Sequence, residues 1–394
     1  MSKSSHRMHF KYLDGLRGIA ALFVVLYHLW QFVITRPDLG QPPGWFKVLS
    51  MLKLGPFAVS VFIVLSGYCL MLPIARLEQP ALAGGLAQFI QRRARRILPA
   101  YYAALAASIG LVIAAPGLRA PTGSQWDIAL PALTPASILT HITLTHNLFE
   151  EWQWTINPPL WSAALEWQIY FVFALALLAI WRRGGPIAAL GAAFGLGLLP
   201  ILFGMSYLGS WFLGLFAIGM IAAAINVAPS PAFRWLRSRA PWGVIAGAAG
   251  LSFGALILMP PSLVHLHSAI MDSWVGVATA ALLIKCTSQL LQHNRLPPGL
   301  GFLSSSVFVG LGRISYSLYL THYPIIALVF LLLLPRGFGP VGLFAALLLV
   351  GLPVMLGVAY AMYRAFERPL MRPAVSGQAI GNNVLGGEAP VDPA

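Results

Sequence analysis

The chain has 394 residues, of which 58% are hydrophobic and only 9% are charged, and its mean hydropathy is +0.77. Soluble globular proteins carry about 25% charged residues, so this composition excludes an ordinary soluble protein. The formal charge of +14 could suggest nucleic acid, but the placement of the basic residues favours membrane orientation, and we predict no nucleic-acid partner.

Apolar runs of about 20 residues, the length that a helix needs to cross a bilayer, recur along the chain. They predict an all-α, polytopic membrane protein with about ten transmembrane helices within residues 1–372. The predicted spans are 15–34, 55–74, 97–115, 159–181, 186–203, 207–227, 242–260, 270–291, 314–334 and 341–363. Residues 373–394 are rich in Gly, Ala, Pro and Asn without apolar periodicity, so we expect a disordered cytoplasmic tail.

The basic residues are distributed asymmetrically between the predicted loops. With the N-terminus placed inside, five of the 25 Lys and Arg residues lie on the outer side and the remaining 20 lie on cytoplasmic segments or helix ends. The five are Arg36, Lys47, Lys53, Arg119 and Arg336. This asymmetry follows the positive-inside rule and predicts that both termini are cytoplasmic, which agrees with an even number of spans.

The first apolar stretch carries three ionisable side chains, Asp14, Arg17 and His28. An ionisable group near the bilayer centre costs roughly 2.5 to 3.5 kcal/mol on insertion scales, so three in one span indicate a functional site. At about 100° per residue they lie within roughly 80° of one another, with Arg17 and His28 almost in line. We therefore predict that one face of the first helix carries all three groups.

Four arginines, Arg92, Arg93, Arg95 and Arg96, precede the third apolar run. Guanidinium groups bind phosphates bidentately, so the cluster predicts an anion site where this helix begins. Two simpler interpretations remain open: a charge cluster that sets membrane topology, and a contact to anionic lipid headgroups.

The longest predicted outer connection is 116–159. Its mildly apolar run 136–149 is too short to cross the membrane and predicts a re-entrant or surface helix, and such a loop can cap a cavity. His141 and His146 fall in this loop and are expected to be ordinary loop histidines. No spacing in the chain resembles a zinc motif, so no metal is predicted.

Glu166 and His322 are further ionisable residues inside predicted spans. At 1.5 Å per residue, His28 and Glu166 share a depth of roughly 20 Å from the cytoplasmic face, and His322 is somewhat shallower. A carboxylate beside an imidazole orients the ring and stabilises the imidazolium, so His28 and Glu166 are predicted to be a general base and its partner. The alternative is an intramembrane hydrogen bond that only holds helices together.

Polar residues at helical spacing form two stripes that can line a cavity. The stripes are Ser162, Glu166 and Tyr170 in one span, and Ser315, Tyr319 and His322 in another. Ser66 and Gly67 allow the close approach of either a substrate or a neighbouring helix. Cys69 and Cys286 lie in apolar spans and are expected to be core or lipid-facing thiols.

Six short motifs follow one another between residues 12 and 369. They are 12–28, with Asp14, Gly15, Arg17, Gly18 and His28; 62–68 (FIVLSGY); 93–101, with Arg93, Arg96, Ile97, Pro99 and Tyr101; 160–170 (LWSAALEWQIY); 314–322 (ISYSLYLTH); and 363–369, with Glu367, Arg368 and Pro369. Together they resemble the motifs of the membrane-bound acyltransferase family 3, the transmembrane O-acyltransferases of polysaccharides, glycans and antibiotics. Trp167 departs from the family, which commonly has an acidic or polar residue there, and this affects only the expected pocket shape.

The resemblance implies a multi-pass protein of the bacterial cytoplasmic membrane that carries out O-acetylation, such as polysaccharide modification. The donor would be a cytoplasmic acyl-CoA, most often acetyl-CoA, and the enzyme would transfer groups other than aminoacyl groups without a metal. By this resemblance, Arg92, Arg93, Arg96 and Tyr101 would bind the donor; His28 would be the general base, with Glu166, Arg17 and Asp14 as further catalytic residues; and Ser66, Tyr170, Ser315, Tyr319 and His322 would bind substrate.

Two other functions remain open. One is a proton-coupled transporter or flippase of a lipid-linked glycan, in which the buried ionisable residues relay protons. The other is a scaffold of a cell-envelope assembly, which leaves those residues unexplained. The arginine cluster favours the enzyme, because an acyl-CoA carries phosphates. The acceptor is open among glycans, lipid-linked sugars and small-molecule hydroxyls such as macrolides, and transfer could be direct or pass through an acyl-histidine.

Overall fold

The structure is a computed structural model that describes residues 10–258 and 264–370. These residues form helices joined by turns and contain no strand, so the predicted all-α class is confirmed. The expected tail, 373–394, lies outside the described residues. The α-helices are α1 (Lys11–Ile34), α2 (Phe57–Ile74), α3 (Gly85–Ala114), α4 (Pro135–Ile142), α5 (Leu160–Val172), α6 (Leu178–Leu202), α7 (Phe212–Val227), α8 (Pro231–Arg239), α9 (Trp242–Ile257), α10 (Val264–His293), α11 (Ser306–Leu333), α12 (Pro340–Ala346) and α13 (Leu352–Met362).

The helices have the length and composition of a multi-pass membrane protein. Within the described ranges, 7 helices are long and apolar enough to cross a bilayer, or 8 if α7 and α8, which are bent by 91°, count as one span. Helix α9 is apolar but only 16 residues long. The count of ten spans and the cytoplasmic placement of both termini stay predictions.

The helical run from α5 to α6 contains two of the predicted spans, 159–181 and 186–203. Its backbone leaves the helical conformation at Gly185, where φ is +80°. A straight helix of its 43 residues would be about 65 Å long. Yet Gly209, just beyond the run, lies so close to its start that an added Cβ would be 3.2 Å from the Trp161 ring. The chain therefore reverses direction within this run, and the break at Gly185 is where it can do so.

Two helix crossings bring backbones into direct contact. A Cβ on Gly312 of α11 would lie 1.9 Å from the carbonyl oxygen of Asp14 on α1, so no larger residue fits. At the crossing of α2 with α7, a Cβ on Gly67 would lie 2.0 Å from the Phe216 carbonyl oxygen. Small residues permit such close packing between membrane helices. Of the two sequence interpretations of Gly67, helix packing is therefore the one that applies.

A buried polar network connects α1, α2, α7 and α10. The hydroxyls of Tyr12 and Tyr68 both bond to the Thr287 hydroxyl, the latter at 2.6 Å. The Asn226 amide donates to the Tyr68 hydroxyl at 2.9 Å and accepts from Ser288 at 2.9 Å. Buried polar groups need such partners, and here the partners tie four helices together.

The connection between α3 and α5 is anchored to the bundle. Buried Asn157 donates to the Ser108 hydroxyl at 3.0 Å and to the Leu320 carbonyl at 2.8 Å. These bonds hold the adjacent Ile156 at φ +63°, which is a rare conformation for a β-branched residue. The predicted short helix of this loop is α4, which has eight residues.

His141 and His146 stabilise this loop. Their rings stack at a centroid distance of 3.9 Å, and His141 Nδ1 lies 2.8 Å from the Ser137 carbonyl oxygen. Burial lowers the pKa of both imidazoles, to about 2 for His146, so both rings are neutral at pH 7. Within the described ranges, no group of three or more His, Cys, Asp or Glu residues is placed to hold a metal ion.

Candidate active site

Two cavities inside the bundle share two lining residues, Val59 and Tyr319. The first, which we call the arginine cavity, has a volume of about 100 Å³ and is built from α1, α2, α3, α5 and α11. Its polar lining residues are Arg17, Ser66, Cys69, Arg93, Arg96, Ser162, Glu166, Tyr170, Ser315, Tyr316 and Tyr319.

Three arginines enter the arginine cavity at different depths. Arg96 is exposed, whereas Arg93 and Arg17 are half-buried. The Arg93 guanidinium lies 5.8 Å from the centroid of the Phe89 ring and 6.0 Å from that of Tyr170, which are cation-π distances. Its buried Nε has no hydrogen-bond partner in the described part of the chain. The three cations therefore line a path from the surface into the bundle.

Arg17 is held by neighbours on two helices. Its Nη1 lies 3.4 Å from an Asp14 carboxylate oxygen one turn earlier on α1, and its Nη2 donates to the Cys69 sulfur of α2 at 3.2 Å. Cys69 is half-buried against the hydrophobic core and also lines the cavity, whereas Cys286 is fully buried.

The carboxylate of the arginine cavity belongs to Glu166 on α5. It accepts a hydrogen bond from the Tyr170 hydroxyl, which is also bonded to the Ser66 hydroxyl at 2.9 Å. The cavity thus places one carboxylate among three guanidinium groups, so its lining carries a net positive charge. Such a lining attracts an anionic ligand.

The second cavity, which we call the histidine cavity, has a volume of about 570 Å³. His28 lines it together with aromatic and amide side chains, and connecting segments supply much of its wall. Its aromatic and polar lining residues are Tyr27, His28, Gln31, Phe57, Gln125, Gln153, Trp154, Trp161, Ser206, Tyr207, Trp211, Phe212, Ser268, Asp272, Tyr319 and Tyr323. As expected, the 116–159 loop caps a cavity, because it contributes Gln125, Gln153 and Trp154.

The His28 ring is oriented by a residue on its own helix. Its Nδ1 lies 3.2 Å from the amide oxygen of Gln31, which can only accept, so Nδ1 carries the proton. The other ring nitrogen, Nε2, is therefore left with its lone pair. A neutral imidazole with a free lone pair on Nε2 can take a proton from a hydroxyl group.

His322 lies beside His28 without lining either cavity. The two ring centroids are 5.2 Å apart. Its Nδ1 lies 2.8 Å from the Tyr319 carbonyl oxygen and 3.1 Å from that of Leu318, so this nitrogen donates. Its buried Nε2 has no hydrogen-bond partner within the described ranges.

The structure brings most of the predicted site residues to the two cavities. Those on the arginine cavity are Arg17, Ser66, Arg93, Arg96, Glu166, Tyr170, Ser315 and Tyr319, and those on the histidine cavity are His28 and Tyr319. Asp14, Arg92, Tyr101 and His322 line neither. Arg92 donates to the Ala83 carbonyl at 2.7 Å, and buried Tyr101 donates to the His141 carbonyl at 2.9 Å. Both side chains are engaged in contacts that shape the fold.

His28 and Glu166 line different cavities. The partner that orients His28 is Gln31, and the partner that binds Glu166 is Tyr170. The predicted direct pairing of imidazole and carboxylate is therefore not the arrangement in the structure. His28 and Arg17 lie on one face of α1 but are 11 residues apart, which is about 16 Å along the helix axis. Glu166 lies at the cavity of Arg17, so it does not meet His28.

Two residues near His28 were not identified from the sequence. Gln31 follows His28 at a spacing of three on α1, which is a spacing that could have identified it. Asp272 of α10 is a buried carboxylate on the wall of the histidine cavity, where it accepts from the Ser60 hydroxyl and from Trp211 Nε1 at 2.8 Å. Its position in an apolar span was the available signal.

A search against known families identifies the class of protein. The profile of the family described as the acyltransferase domain matches residues 10–364. The chain therefore belongs to this acyltransferase family, and the resemblance inferred from the six motifs is confirmed.

Several relatives carry compatible names. A candidate O-acetyltransferase of Staphylococcus aureus is 26% identical over 337 residues, covering 80% of this chain and 50% of the relative. The acyltransferase MdmB of Streptomyces mycarofaciens is 27% identical over 334 residues, covering 80% of this chain and 78% of the relative. A candidate membrane-bound transacylase of Komagataeibacter xylinus, BcsY, is 33% identical over 170 residues, covering 42% of this chain and 37% of the relative. The chain spans half the length of the Staphylococcus relative. No solved structure matches the chain.

Proposed function

We propose that this acyltransferase is an O-acyltransferase that moves an acyl group, in the first instance acetyl, from cytoplasmic acyl-CoA to a hydroxyl of a glycan or related acceptor. The observation that carries the proposal is the pairing of two cavities: one is lined by guanidinium groups, the other contains the His28 imidazole, and Tyr319 lies between them. We also propose that ten spans place both termini, and the start of α3, in the cytoplasm.

The arginine cavity is suited to the donor. Arg96 and Arg93 would bind the phosphates of the coenzyme near the surface, because guanidinium groups form bidentate bonds with phosphate. Its volume of about 100 Å³ is too small for the whole coenzyme, since pockets for ligands of that size are usually several times larger. Only the thioester arm of the donor would therefore enter, and Arg17 would add positive charge that attracts the anionic donor.

The histidine cavity is suited to an uncharged, hydroxyl-rich acceptor. Trp154, Trp161 and Trp211 offer aromatic faces for the apolar side of a sugar ring, and Gln125 and Gln153 offer amide groups for its hydroxyls. Neither Lys nor Arg is among the described residues that line this cavity. Phosphate-bearing ligands therefore have no cationic partner here, which separates acceptor from donor.

The residues then support a balanced acyl transfer. His28 Nε2 takes the proton of the acceptor hydroxyl as its oxygen bonds to the thioester carbonyl carbon; the carbon-sulfur bond breaks, and the proton passes to the leaving thiolate. Glu166 would balance the charge of Arg17 and Arg93 and fix Tyr170, and Asp14 would hold Arg17. Ser66, Ser315 and Tyr319 would contact the thioester arm, with His322 adjacent to the base.

The test uses the full chain in lipid nanodiscs with acetyl-CoA labelled in the acetyl group and a panel of neutral oligosaccharides. We expect coenzyme A thiol to be released only when a suitable saccharide is present, with the label recovered as an ester of that saccharide. Binding of acetyl-CoA without transfer to any saccharide would contradict a glycan acceptor. Failure to bind acetyl-CoA would contradict the donor.

The rival transporter has a different signature. Vesicles containing a transporter would accumulate labelled saccharide without consuming acetyl-CoA, and this result would overturn the enzyme proposal. Mass spectrometry of envelope glycans and secreted metabolites, from cells with and without the protein, would identify the natural acceptor by its acyl ester.

A further inference from the structure

Tyr319 occupies the boundary between the two cavities. Only Tyr319 and Val59 occur in both linings among the described residues, and Val59 is almost fully buried. The aromatic ring of Tyr319 faces Phe62 of the arginine cavity at a centroid distance of 6.1 Å and His322 at 5.8 Å. This ring is thus the bulky group that separates the guanidinium groups from the His28 side.

Within the described ranges, one side-chain hydrogen bond holds the Tyr319 side chain in this position. Its hydroxyl bonds to the Ser162 hydroxyl on α5 at 2.6 Å. Ser162 lies one turn before Glu166, so the bond connects the α11 side of the boundary to the helix that carries the cavity carboxylate. A tyrosine turns about two side-chain torsions, and its rotation here would break this bond and the ring contacts with Phe62 and His322.

We propose that Tyr319 is a movable septum that keeps the donor thioester apart from the water of the histidine cavity until an acceptor is present. This inference rests on the proposed function and names a positioning residue for it. A thioester that meets water first is hydrolysed: water oxygen bonds to the carbonyl carbon, the carbon-sulfur bond breaks, and acetate and coenzyme A thiol result. Exclusion of water is a general way in which enzymes prevent such side reactions.

The first test measures the barrier itself and does not depend on the donor. Cys69 lines the arginine cavity and not the histidine cavity, whereas Cys286 is fully buried. Methanethiosulfonate ethylsulfonate, an anionic reagent that does not cross membranes, would be applied to right-side-out and inside-out vesicles of the full chain. Labelling of Cys69 would be followed by mass spectrometry, with Cys69→Ser to verify the site.

We expect Tyr319→Ala to raise the rate of Cys69 labelling from the histidine-cavity side by at least about tenfold, because thiol reactivity requires access. Tyr316→Ala is the matched control, because Tyr316 lines only the arginine cavity and its loss enlarges that cavity without opening the boundary. Tyr319→Phe, which keeps the ring but loses the bond to Ser162, should label faster than the native chain and more slowly than Tyr319→Ala. Equal rates for Tyr319→Ala and Tyr316→Ala would overturn the septum, as would labelling of Tyr319→Phe as fast as Tyr319→Ala.

The second test distinguishes failure of the septum from failure of the proposed function. With acetyl-CoA and no acceptor, Tyr319→Ala should release coenzyme A thiol at least about tenfold faster than the native chain. If Cys69 becomes accessible and acetyl-CoA is not consumed, the septum stands and the donor assignment falls. If acetyl-CoA is bound and neither labelling nor hydrolysis rises, the septum falls and the donor assignment stands.

Discussion

The two cavities are built from different parts of the fold. Every lining residue of the arginine cavity belongs to one of five long helices, whereas connecting segments contribute much of the histidine cavity. The arginine cavity is small and rich in charge, and the histidine cavity is several times larger and mainly aromatic and amide in character. Loops vary more readily than packed helices, so under the proposed function we expect acceptor preference to differ between relatives at the second cavity.

The two cavities also differ in the kind of ligand that each is suited to bind. Fixed helices position guanidinium groups accurately, which suits a donor whose phosphates are always the same. Aromatic faces and amides on loops suit an acceptor whose shape differs between enzymes. Four helices reach both cavities: α1 with Arg17 and His28, α2 with Ser66 and Phe57, α5 with Glu166 and Trp161, and α11 with Ser315 and Tyr319. They are thus the elements that keep the two cavities in register.

Loss of His28, the proposed general base, should produce the largest effect and act on one cavity only. His28→Ala, and the more conservative His28→Gln, should lower acyl transfer by about 10²- to 10⁴-fold, the usual contribution of general base catalysis. Binding of acetyl-CoA, measured by equilibrium dialysis, should stay within about twofold of the native value, because His28 does not line the arginine cavity. Full turnover in either variant would remove His28 from the mechanism.

Loss of the phosphate contacts should act on the other cavity. Arg93→Ala combined with Arg96→Ala should raise the Kd for acetyl-CoA by about 10- to 100-fold, since each of the two lost contacts, being partly exposed to water, contributes about 1 kcal/mol. Turnover at saturating donor should change little. Arg95→Ala is the control, because Arg95 is an exposed residue of the same cluster outside the cavity lining. An unchanged Kd in the double variant would return the cluster to a role in topology or lipid contact.

A change at the α1 and α11 crossing should impair both cavities together. The Cβ of Gly312→Ala would overlap the Asp14 carbonyl oxygen, and we expect a loss of about 1 to 3 kcal/mol in stability, typical of overpacking. Thermal unfolding in detergent would measure it, with Gly310→Ala as control, because Gly310 has open space at its Cβ position. Native stability in Gly312→Ala would show that the helices can separate without cost.

The smallest effect should come from the residue that orients His28. Gln31→Leu should lower kcat by about three- to tenfold with donor affinity unchanged, because Nδ1 of His28 loses its acceptor. Gln31→Glu should restore activity, since its carboxylate also accepts from Nδ1. Activity in Gln31→Leu equal to that of the native chain would contradict an orienting role.

The sequence predicted the residue types of the site better than their partners. Arg17 and His28 were expected on one face of the first helix, and both do face cavities, but the rise along the helix places them in different ones. Depth in the membrane suggested that His28 and Glu166 meet. Depth gives only the position of a residue along the membrane normal. The lateral arrangement of α1 and α5 depends on helix packing that a single sequence does not specify.

Two further features of the structure could not be predicted from the sequence. The reversal at Gly185 needs a positive φ that glycine permits, yet many glycines in this chain have ordinary helical conformations. The Ser162 and Tyr319 contact joins residues 157 positions apart, and only the packing of α5 against α11 creates it. Helical spacing did place Ser162 and Tyr319 on polar stripes, and so predicted that each would face a cavity.

The backbone contact at Gly312 has a consequence for engineering. Because main-chain atoms of α1 and α11 touch there without intervening side chains, sliding of one helix against the other would cause a clash. The backbones that carry His28, His322 and Tyr319 are therefore held in fixed relative positions, while the Tyr319 side chain can still turn. Exchanging the 116–159 loop between relatives would leave this helix crossing intact, so loop grafting is a direct way to test whether the histidine cavity selects the acceptor as proposed.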